Sequence, residues 1–206
     1  VAFGRRVLIP LAMEFMKHNP QVQVDLSFED RYTDLVANGI DVALRLGKLA
    51  DSSLGARMLG VNPWVLVASN TYLRKHGTPR RPSDLKEHST LIYSSVQGND
   101  IWRLRNASGE PVSIPVTGRL RSNNLSALLA AARSHMGIAA LPRYVAQDSL
   151  KDGRVVEVLK TCRLPEQEIH AVYPSPRLVP QKVQSFIAFL QGKFDDAWWE
   201  DLPRGG

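Results

Sequence analysis

The chain has 206 residues, 44% hydrophobic and 22% charged, and its 26 Lys and Arg against 20 Asp and Glu give a net charge of +6. This globular composition excludes a disordered chain, a collagen-like repeat and a coiled coil. The sequence has a single cysteine, Cys162, which excludes a disulfide within the chain and a multi-cysteine metal site.

No stretch of the sequence is apolar enough for a membrane span. The longest purely apolar run, 127–132, is far shorter than the roughly 18 residues that a spanning helix needs. Arg5 and Arg6 follow Val1 closely, without the hydrophobic region of a signal peptide. Together with the single cysteine, this predicts a cytoplasmic protein with no membrane contact.

The positive charge is not arranged for reading DNA. Gly77 and Pro79 interrupt the densest basic stretch, 74–81, which favours a solvated loop over a contact with the DNA backbone. No helix-turn-helix pattern, zinc-finger spacing or aromatic RNA-binding signature accompanies this stretch. The residues of the chain therefore show no DNA-reading element.

Helical and strand patterns alternate from the start of the chain. Apolar residues at helical spacing predict a first helix, in which Pro10 is early enough to be absorbed or to kink the second turn. From Val22 to Phe28 apolar and polar residues alternate, which predicts a half-buried strand. In chain order the first patterns predict a helix over 5–18, a strand over 22–28, a helix over 32–38 that Gly39 ends, and a strand over 40–46.

The alternation continues to the end of the chain and predicts an α/β fold with mixed, mainly parallel sheets. The turn signal at 106–109 predicts a hairpin, and Ser122, Asn123 and Asn124 offer N-caps for the helix that follows them. The remaining elements are extended segments at 56–59 and 64–68, a helix over 70–77, a strand over 91–94, hairpin strands at 101–105 and 112–121, a helix to His135 that Gly137 ends, a strand over 138–141, a helix over 144–150, strands at 155–159 and 169–173, and a closing helix around 183–190.

Catalytic motifs are absent from the sequence. It contains no G-x-S-x-G, G-x-G-x-x-G, P-loop or H-E-x-x-H pattern. The five histidines lie far apart, without the short spacing of metal ligands, and Cys162 lies in a predicted loop. We therefore expect a protein that is not an enzyme and that needs neither a metal nor another cofactor.

Several stretches occur in an order that resembles the effector-binding domain of LysR-type transcriptional regulators. Along the chain they read V-A-F-G-R-R-V-L-I-P, D-R-Y-T-D-L-V with G-I-D-V-A-L-R-L-G, L-V-A-S-N-T-Y-L, R-L-R-S-N-N, M-G-I-A-A-L-P, and H-A-V-Y-P-S followed by P-Q-K-V. The resemblance covers the chain from Val1 to about Phe194. The tail from Asp195 to Gly206 has no counterpart, and we expect a semi-ordered amphipathic segment there.

The resemblance implies two α/β lobes, similar to type 2 periplasmic binding proteins, with a small effector in the cleft between them. Lobe one would be 1–69 plus 169–206, and lobe two would be 70–168. The family's N-terminal winged helix-turn-helix, linker helix and first strand would precede Val1. The partners implied are a small-molecule effector, further copies in a homodimer or homotetramer, and DNA only through that missing N-terminal domain.

Helix starts at the carboxyl ends of strands present free backbone N–H groups, which favour anions and hydrogen-bond acceptors. Three starts qualify, at 2–5, 30–33 and 122–124. Helix capping alone is the alternative for 122–124, a surface salt bridge for Arg45, and a core position for Trp102. With the resemblance, the candidate ligand-binding residues are Ala2, Phe3, Gly4, Arg5, Tyr32, Arg45, Ser94, Trp102, Asn123, Asn124, Ile138 and Ala139.

The function that the resemblance implies is that of a ligand-sensing regulatory domain that controls transcription. The helix starts and Arg45 favour a small, acceptor-rich, anionic metabolite as the effector. The alternative is a solute-binding protein of a transport system with the same fold. A third class, an enzyme on this two-lobe scaffold, lacks the catalytic motifs that it would need.

Overall fold

The computed structural model describes residues 1–29, 33–50, 52–94 and 100–203. The chain divides into a first unit, Val1–Asn62 with Gln167–Gly206, and a second unit, Pro63–Glu166. Both borders lie before the expected ones at 69/70 and 168/169. The segment 63–69 belongs to the second unit because its strand pairs with two strands there.

Five α-helices and ten strands make up the regular structure of the described residues. In chain order they are α1 (Ile9–His18), β1 (Ala43–Leu46), β2 (Gly55–Asn62), β3 (Trp64–Ala68), α2 (Asn70–His76), β4 (Ser89–Tyr93), β5 (Ile101–Arg105), β6 (Pro111–Pro115), β7 (Thr117–Ser122), α3 (Leu125–Arg133), β8 (Ile138–Pro142), α4 (Arg143–Lys151), β9 (Val156–Val158), β10 (Gln167–Tyr173) and α5 (Gln181–Leu190). None of these helices has the length and apolar character that crossing a bilayer requires.

The first helix of the chain starts at Ala2 and passes through a wide π-helical turn, Gly4–Leu8, that leads directly into α1. Pro10 has no N–H and its ring crowds the carbonyl of the preceding turn. A π turn, with its longer hydrogen-bonded loop, accommodates such a residue. The expected helix over 5–18 is therefore confirmed, with Pro10 absorbed near the start of α1.

The sheet of the first unit has the order β1-β10-β2, and both pairs are antiparallel. The prediction of a strand over 22–28 is wrong, because this segment pairs with no strand of the described residues. Its alternation leaves Val22, Val24 and Phe28 only half-buried and Leu26 exposed, and it cannot supply the backbone partners that a strand needs. One of these apolar residues, Phe28, packs over Gly4.

The expected helix over 32–38 is reduced to a capped turn. The Asp34 carboxylate accepts from the N–H groups of Val36 and Ala37 at 2.9 and 3.1 Å. Ile40 donates to the Leu35 carbonyl at 2.9 Å, and Gly39 has φ +62°, which closes the turn in the left-handed manner of a helix end. The expected strand then begins at Ala43 rather than Ile40.

The second unit contains a five-stranded sheet of order β7-β4-β8-β3-β9 and a separate β5-β6 hairpin. In this sheet β4 is parallel to β7 and to β8, whereas β3 is antiparallel to β8 and to β9. Mixed sheets are confirmed, but the expectation of mainly parallel sheets is wrong for the described strands. Alternation of helices and strands predicts a layered α/β fold, but it does not determine whether neighbouring strands are parallel or antiparallel.

Three predicted boundaries shift for local reasons. The second hairpin strand ends at Pro115, which has no N–H for a ladder, and β7 joins the large sheet instead. Ser69 rather than Asn70 caps α2, accepting from the Tyr72 N–H at 3.2 Å. His135, with φ +63°, and not Gly137 ends α3 in the left-handed conformation.

The C-terminal tail is anchored rather than semi-ordered in its described part, which reaches residue 203. Trp198 is only 8% exposed and lies in a short 3₁₀ turn, Trp198–Glu200. Its ring packs against Phe194 and Phe3. Burial of this large apolar surface accounts for the anchoring.

Candidate functional site

The second unit gathers several of the expected ligand-binding residues at one end of its large sheet. The parallel strands β4 and β7 both end there, with Tyr93 opposite Ser122. Ser94 donates its N–H to the Ser122 carbonyl at 3.1 Å, and Asn123 and Asn124 follow directly. We call this group of five residues, Tyr93, Ser94, Ser122, Asn123 and Asn124, the polar edge.

Helix α3 begins at the polar edge, and part of its N-terminus is already occupied. The Asn124 side chain accepts from the Ala127 N–H at 3.1 Å, and the Ser122 hydroxyl accepts from the Asn124 N–H at 3.0 Å. Capping, the alternative reading of these residues, is therefore present. Within the described ranges the N–H groups of Leu125 and Ser126 have no hydrogen-bond partner, so two donors face the edge.

Asn123 differs from its neighbour. Its side chain is exposed and makes no hydrogen bond to any described residue. An exposed amide with both a donor and an acceptor, beside two unpartnered backbone donors, is suited to an acceptor-rich ligand. Asn124 holds the helix start in place, whereas Asn123 is available for such a ligand.

Three other expected site residues of the second unit lie in its core. Trp102 is 1% exposed on the inner face of the β5-β6 hairpin, so it occupies the core position that was the alternative to a ligand contact. Ile138 and Ala139 are fully buried at the start of β8, opposite Thr90 and Leu91 of β4. Because β4 and β8 are parallel, Ile138 and Ala139 lie level with residues three and two positions before Tyr93, the end of β4 at the polar edge.

The first turn of the first unit is tightly packed. Gly4 is buried, and a Cβ on it would overlap the ring of Phe28. Phe3 is 7% exposed, so its side chain belongs to the core and not to an open surface. Ala2 is half-buried and Arg5 is exposed, with its N–H donated to the Val1 carbonyl at 3.1 Å. A ligand at this turn would therefore meet backbone and Arg5 before it meets the Phe3 ring.

Arg45 is tied to the second expected helix start. Its Nη2 donates to the Thr33 carbonyl at 2.9 Å, and the Thr33 hydroxyl donates to the Glu29 carboxylate at 2.6 Å. Arg45 therefore contacts the backbone of the segment that includes Thr33, and the alternative of a surface salt bridge stays open beside this contact. Tyr32 and the start at 30–32 lie outside the described residues.

Two aromatic residues beside the polar edge were missed by the sequence reasoning. Trp64 and Tyr93 have ring centroids 5.9 Å apart, and Trp64 begins β3, opposite Pro142 of β8. Trp64 is 7% exposed, whereas Tyr93 is half-buried. The available signal was Trp64 at the start of one predicted strand and Tyr93 near the end of another. Only the strand register brings the two rings together.

A buried polar cluster lies elsewhere in the second unit. The Tyr72 hydroxyl and His88 Nδ1 are 3.2 Å apart, and Ser89 donates its N–H to the same hydroxyl at 2.9 Å. Burial lowers the pKa of His88, and the nearby His76 lowers it further. Burial also raises the pKa of Tyr72. Both side chains are therefore held neutral near pH 7, as parts of the core.

A small cavity of about 130 Å³ is present in the first unit, below the several hundred cubic ångströms typical of a metabolite pocket. The cavity is lined by Asp41, Tyr173, Pro174, Ser175, Leu178, Val179 and Pro180.

No group of three or more His, Cys, Asp or Glu side chains in the described part of the chain is placed to hold a metal ion.

The sequence matches the family described as LysR substrate binding domain over residues 1–195. A probable HTH-type transcriptional regulator of Klebsiella pneumoniae, LtrA, is 36% identical over 197 residues, covering 92% of this chain and 62% of that protein. An uncharacterized HTH-type transcriptional regulator of Haemophilus influenzae is 33% identical over 181 residues, covering 88% of this chain and 62% of that protein. The chain thus spans about 62% of the length of these curated relatives.

Solved structures give the same result. The full-length virulence activator AphB of Vibrio cholerae, a member of the LTTR family, matches with a TM-score of 0.80 and 30% identity, covering 92% of this chain and 64% of that chain. The regulatory domain of CrgA, a LysR-type transcriptional regulator of Neisseria meningitidis, matches with a TM-score of 0.78 and 28% identity, covering 91% of this chain and 92% of that one. The similarity is therefore to a regulatory domain over nearly its whole length.

Proposed function

Since this chain belongs to the LysR substrate-binding domain family, we propose that it is the effector-sensing regulatory domain of a LysR-type transcriptional regulator. The observation that carries the proposal is the match over residues 1–195, together with a polar edge whose donors are still available. We propose a sensing rather than a catalytic role, because its relatives are transcriptional regulators and its sequence has no G-x-S-x-G, G-x-G-x-x-G, P-loop or H-E-x-x-H motif.

We propose that the effector contacts residues of both units, as the family resemblance implies. In the second unit, Asn123 and the free N–H groups at the start of α3 would bind it. In the first unit, the turn at 2–5 and Arg45 would contribute. Phe3 in the first unit and Trp102, Ile138 and Ala139 in the second are buried, so each would support its own unit from the core.

The effector proposed is a small anion with an apolar body. A helix N-terminus with two unpartnered N–H groups favours a negative charge, and Arg45 adds a guanidinium whose planar donors match a carboxylate. The half-buried Tyr93 provides aromatic surface at the polar edge, and the buried Trp64 packs against its ring. A carboxylate on an aromatic or aliphatic skeleton satisfies both features.

In the whole regulator, DNA would be contacted through a helix-turn-helix region outside this chain, as the names of the relatives indicate. Copies of the domain would associate as dimers or tetramers, and the protein would act in the cytoplasm. Effector binding would change transcription by favouring one of two arrangements of the domain, for which it must have different affinities.

A thermal-shift screen of the 206-residue chain tests the proposal. Each carboxylate is paired with the neutral amide of the same skeleton, for example benzoate with benzamide and hexanoate with hexanamide. At 100 times its dissociation constant a bound acid should add about 2.7 kcal/mol to the free energy of unfolding. We expect at least one acid to raise Tm while its amide does not. Equal effects of acid and amide would contradict an anionic effector.

A further inference from the structure

The C-terminal segment, residues 193–200, holds the buried Trp198 against the start of the first helix. The ring centroid of Trp198 lies 5.3 Å from that of Phe194 and 6.2 Å from that of Phe3, edge-on in both cases. Phe3 and Phe194 stack on each other at 6.0 Å. The indole Nε1 donates to the Val61 carbonyl at 2.8 Å, so the polar end of the side chain is also satisfied.

The same segment covers strand β2, which is at the edge of its sheet. Gly60 of β2 makes this possible, because a Cβ at that position would overlap the Phe194 carbonyl oxygen. The segment also reaches the backbone of β2 at Val61, whose carbonyl accepts from the Trp198 indole. The segment is therefore seated on the sheet through both backbone and side chains.

The backbone of the segment is bent to deliver the tryptophan. Ala197 has φ +60°, a left-handed conformation that is unfavourable for a residue with a Cβ. Trp198 donates its N–H to the Asp195 carbonyl at 3.1 Å, and Glu200 donates to the Ala197 carbonyl at 2.8 Å. Burial of the indole offsets the strain at Ala197, because it removes a large apolar surface from water.

A second contact joins the segment to the first helix. Lys193 Nζ lies 2.7 Å from the Glu14 carboxylate of α1 and 4.7 Å from the centroid of the Phe189 ring. The segment therefore contacts the first helical stretch near its beginning, through Phe3, and again further along, through Glu14.

We infer that Trp198 is a positioning residue of the effector site. It fixes the Phe3 ring in the core, and Phe3 in turn fixes the turn at 2–5, whose backbone and Arg5 face the effector. Trp198 lies beyond residue 195, where the match to the family ends, so this is a feature of this chain's own tail. The inference rests on the proposed function only in naming the turn at 2–5 as part of the effector site.

Amide hydrogen exchange of the 206-residue chain tests the inference without a ligand. Trp198→Leu removes the ring that holds Phe3. Phe186→Leu is the matched control, since Phe186 packs on Phe15 in the same unit, with ring centroids 5.0 Å apart. The turn at 2–5 is monitored at the Arg5 N–H, which donates to the Val1 carbonyl at 3.1 Å. Its exchange should quicken about tenfold in Trp198→Leu, the factor expected for losing an aromatic contact, and should stay unchanged in Phe186→Leu.

Trp198→Phe keeps a ring against Phe3 and loses the bond to Val61, so exchange at 2–5 should quicken only about threefold. If Trp198→Leu does not fold, this smaller effect decides the question. Equal exchange at 2–5 in the wild type and the Trp198 variants, or an equal increase in Phe186→Leu, would overturn the inference.

Benzoate affinity by calorimetry separates this inference from the proposed function. Trp198→Leu should weaken benzoate binding about tenfold, and Phe186→Leu should leave it unchanged. Faster exchange at 2–5 with unchanged benzoate affinity in Trp198→Leu would overturn the positioning role. If the wild type does not bind benzoate, benzoate is not a suitable model of the proposed effector. The exchange rates at 2–5 then decide alone whether Trp198 positions that turn.

Discussion

Arg45 donates from Nη2 to the Thr33 carbonyl at 2.9 Å, so a side chain expected to bind the effector also holds the segment next to it. Substitutions of Arg45 can therefore separate the contribution of its positive charge from that of its hydrogen bond to Thr33. Lys keeps the positive charge but is a compact ammonium without the planar fork of Arg, whereas Leu lacks both properties.

The first prediction concerns Arg45. Arg45→Leu should weaken binding of a carboxylate about tenfold or more at low salt, because a charge-assisted hydrogen bond contributes about 1.5–3 kcal/mol. Arg45→Lys should recover part of this loss. Calorimetric titration at two salt concentrations measures both effects. Unchanged affinity in Arg45→Leu at low salt would make Arg45 a structural residue only.

The second prediction separates Asn123 from Asn124. Asn124→Ala removes the cap of α3 and should lower the free energy of unfolding by about 1 kcal/mol. Asn123→Ala removes an exposed amide without a partner in the described structure, so stability should be unchanged while carboxylate affinity falls. Urea unfolding and calorimetry on both variants provide the measurement. A stability loss in Asn123→Ala as large as in Asn124→Ala would show that the two roles are not divided in this way.

The third prediction concerns pH. The folded-state pKa of His88 lies below its unfolded value of about 6.5, because burial and His76 disfavour its charged form while Asp84 and Glu87 only partly oppose them. The unfolded state therefore binds the proton more readily, and the free energy of unfolding should fall as pH drops below about 6.5.

His88→Gln should flatten this pH dependence. Urea unfolding from pH 7.5 to pH 5 compares the slopes of the variant and the wild type. A slope in His88→Gln as steep as that of the wild type, or steeper, would contradict the assignment.

The fourth prediction concerns self-association. Met13 and Met16 lie one turn apart on α1 and are 57% and 40% exposed, an apolar face suited to a second copy of the domain. Replacing both with Glu should shift the protein from dimer or tetramer to monomer, measured by light scattering. Leu178→Glu, at another exposed apolar residue, is the control. A wild-type monomer, or a double variant with wild-type mass, would refute this surface.

Local sequence signals predicted most helices and strands but not their partners. Apolar and polar residues do alternate over 22–28, and Phe28 packs on Gly4, yet no described strand pairs with the segment. Strand pairing depends on residues distant in sequence, which no local period reveals. For the same reason the reasoning missed Trp198, whose partners Phe3 and Val61 lie more than a hundred residues earlier.

The candidate site was predictable to a similar extent. Asn123, Asn124 and Ser94 come together because cap residues and strand ends have local signatures. Trp102, Ile138 and Ala139 do not join them, since apolar residues near strand ends look alike whether they face a ligand or the core. Burial is a property of the assembled fold.

The most direct test of the proposed function is amide exchange with and without the acid that stabilises the chain most in the thermal-shift screen. The N–H groups of Leu125 and Ser126, which have no partner in the described structure, should exchange markedly more slowly with the acid bound, as should the turn at 2–5. The neutral amide should leave both unchanged. Protection confined to other regions, such as the cavity lined by Tyr173 and Pro180, would contradict the account.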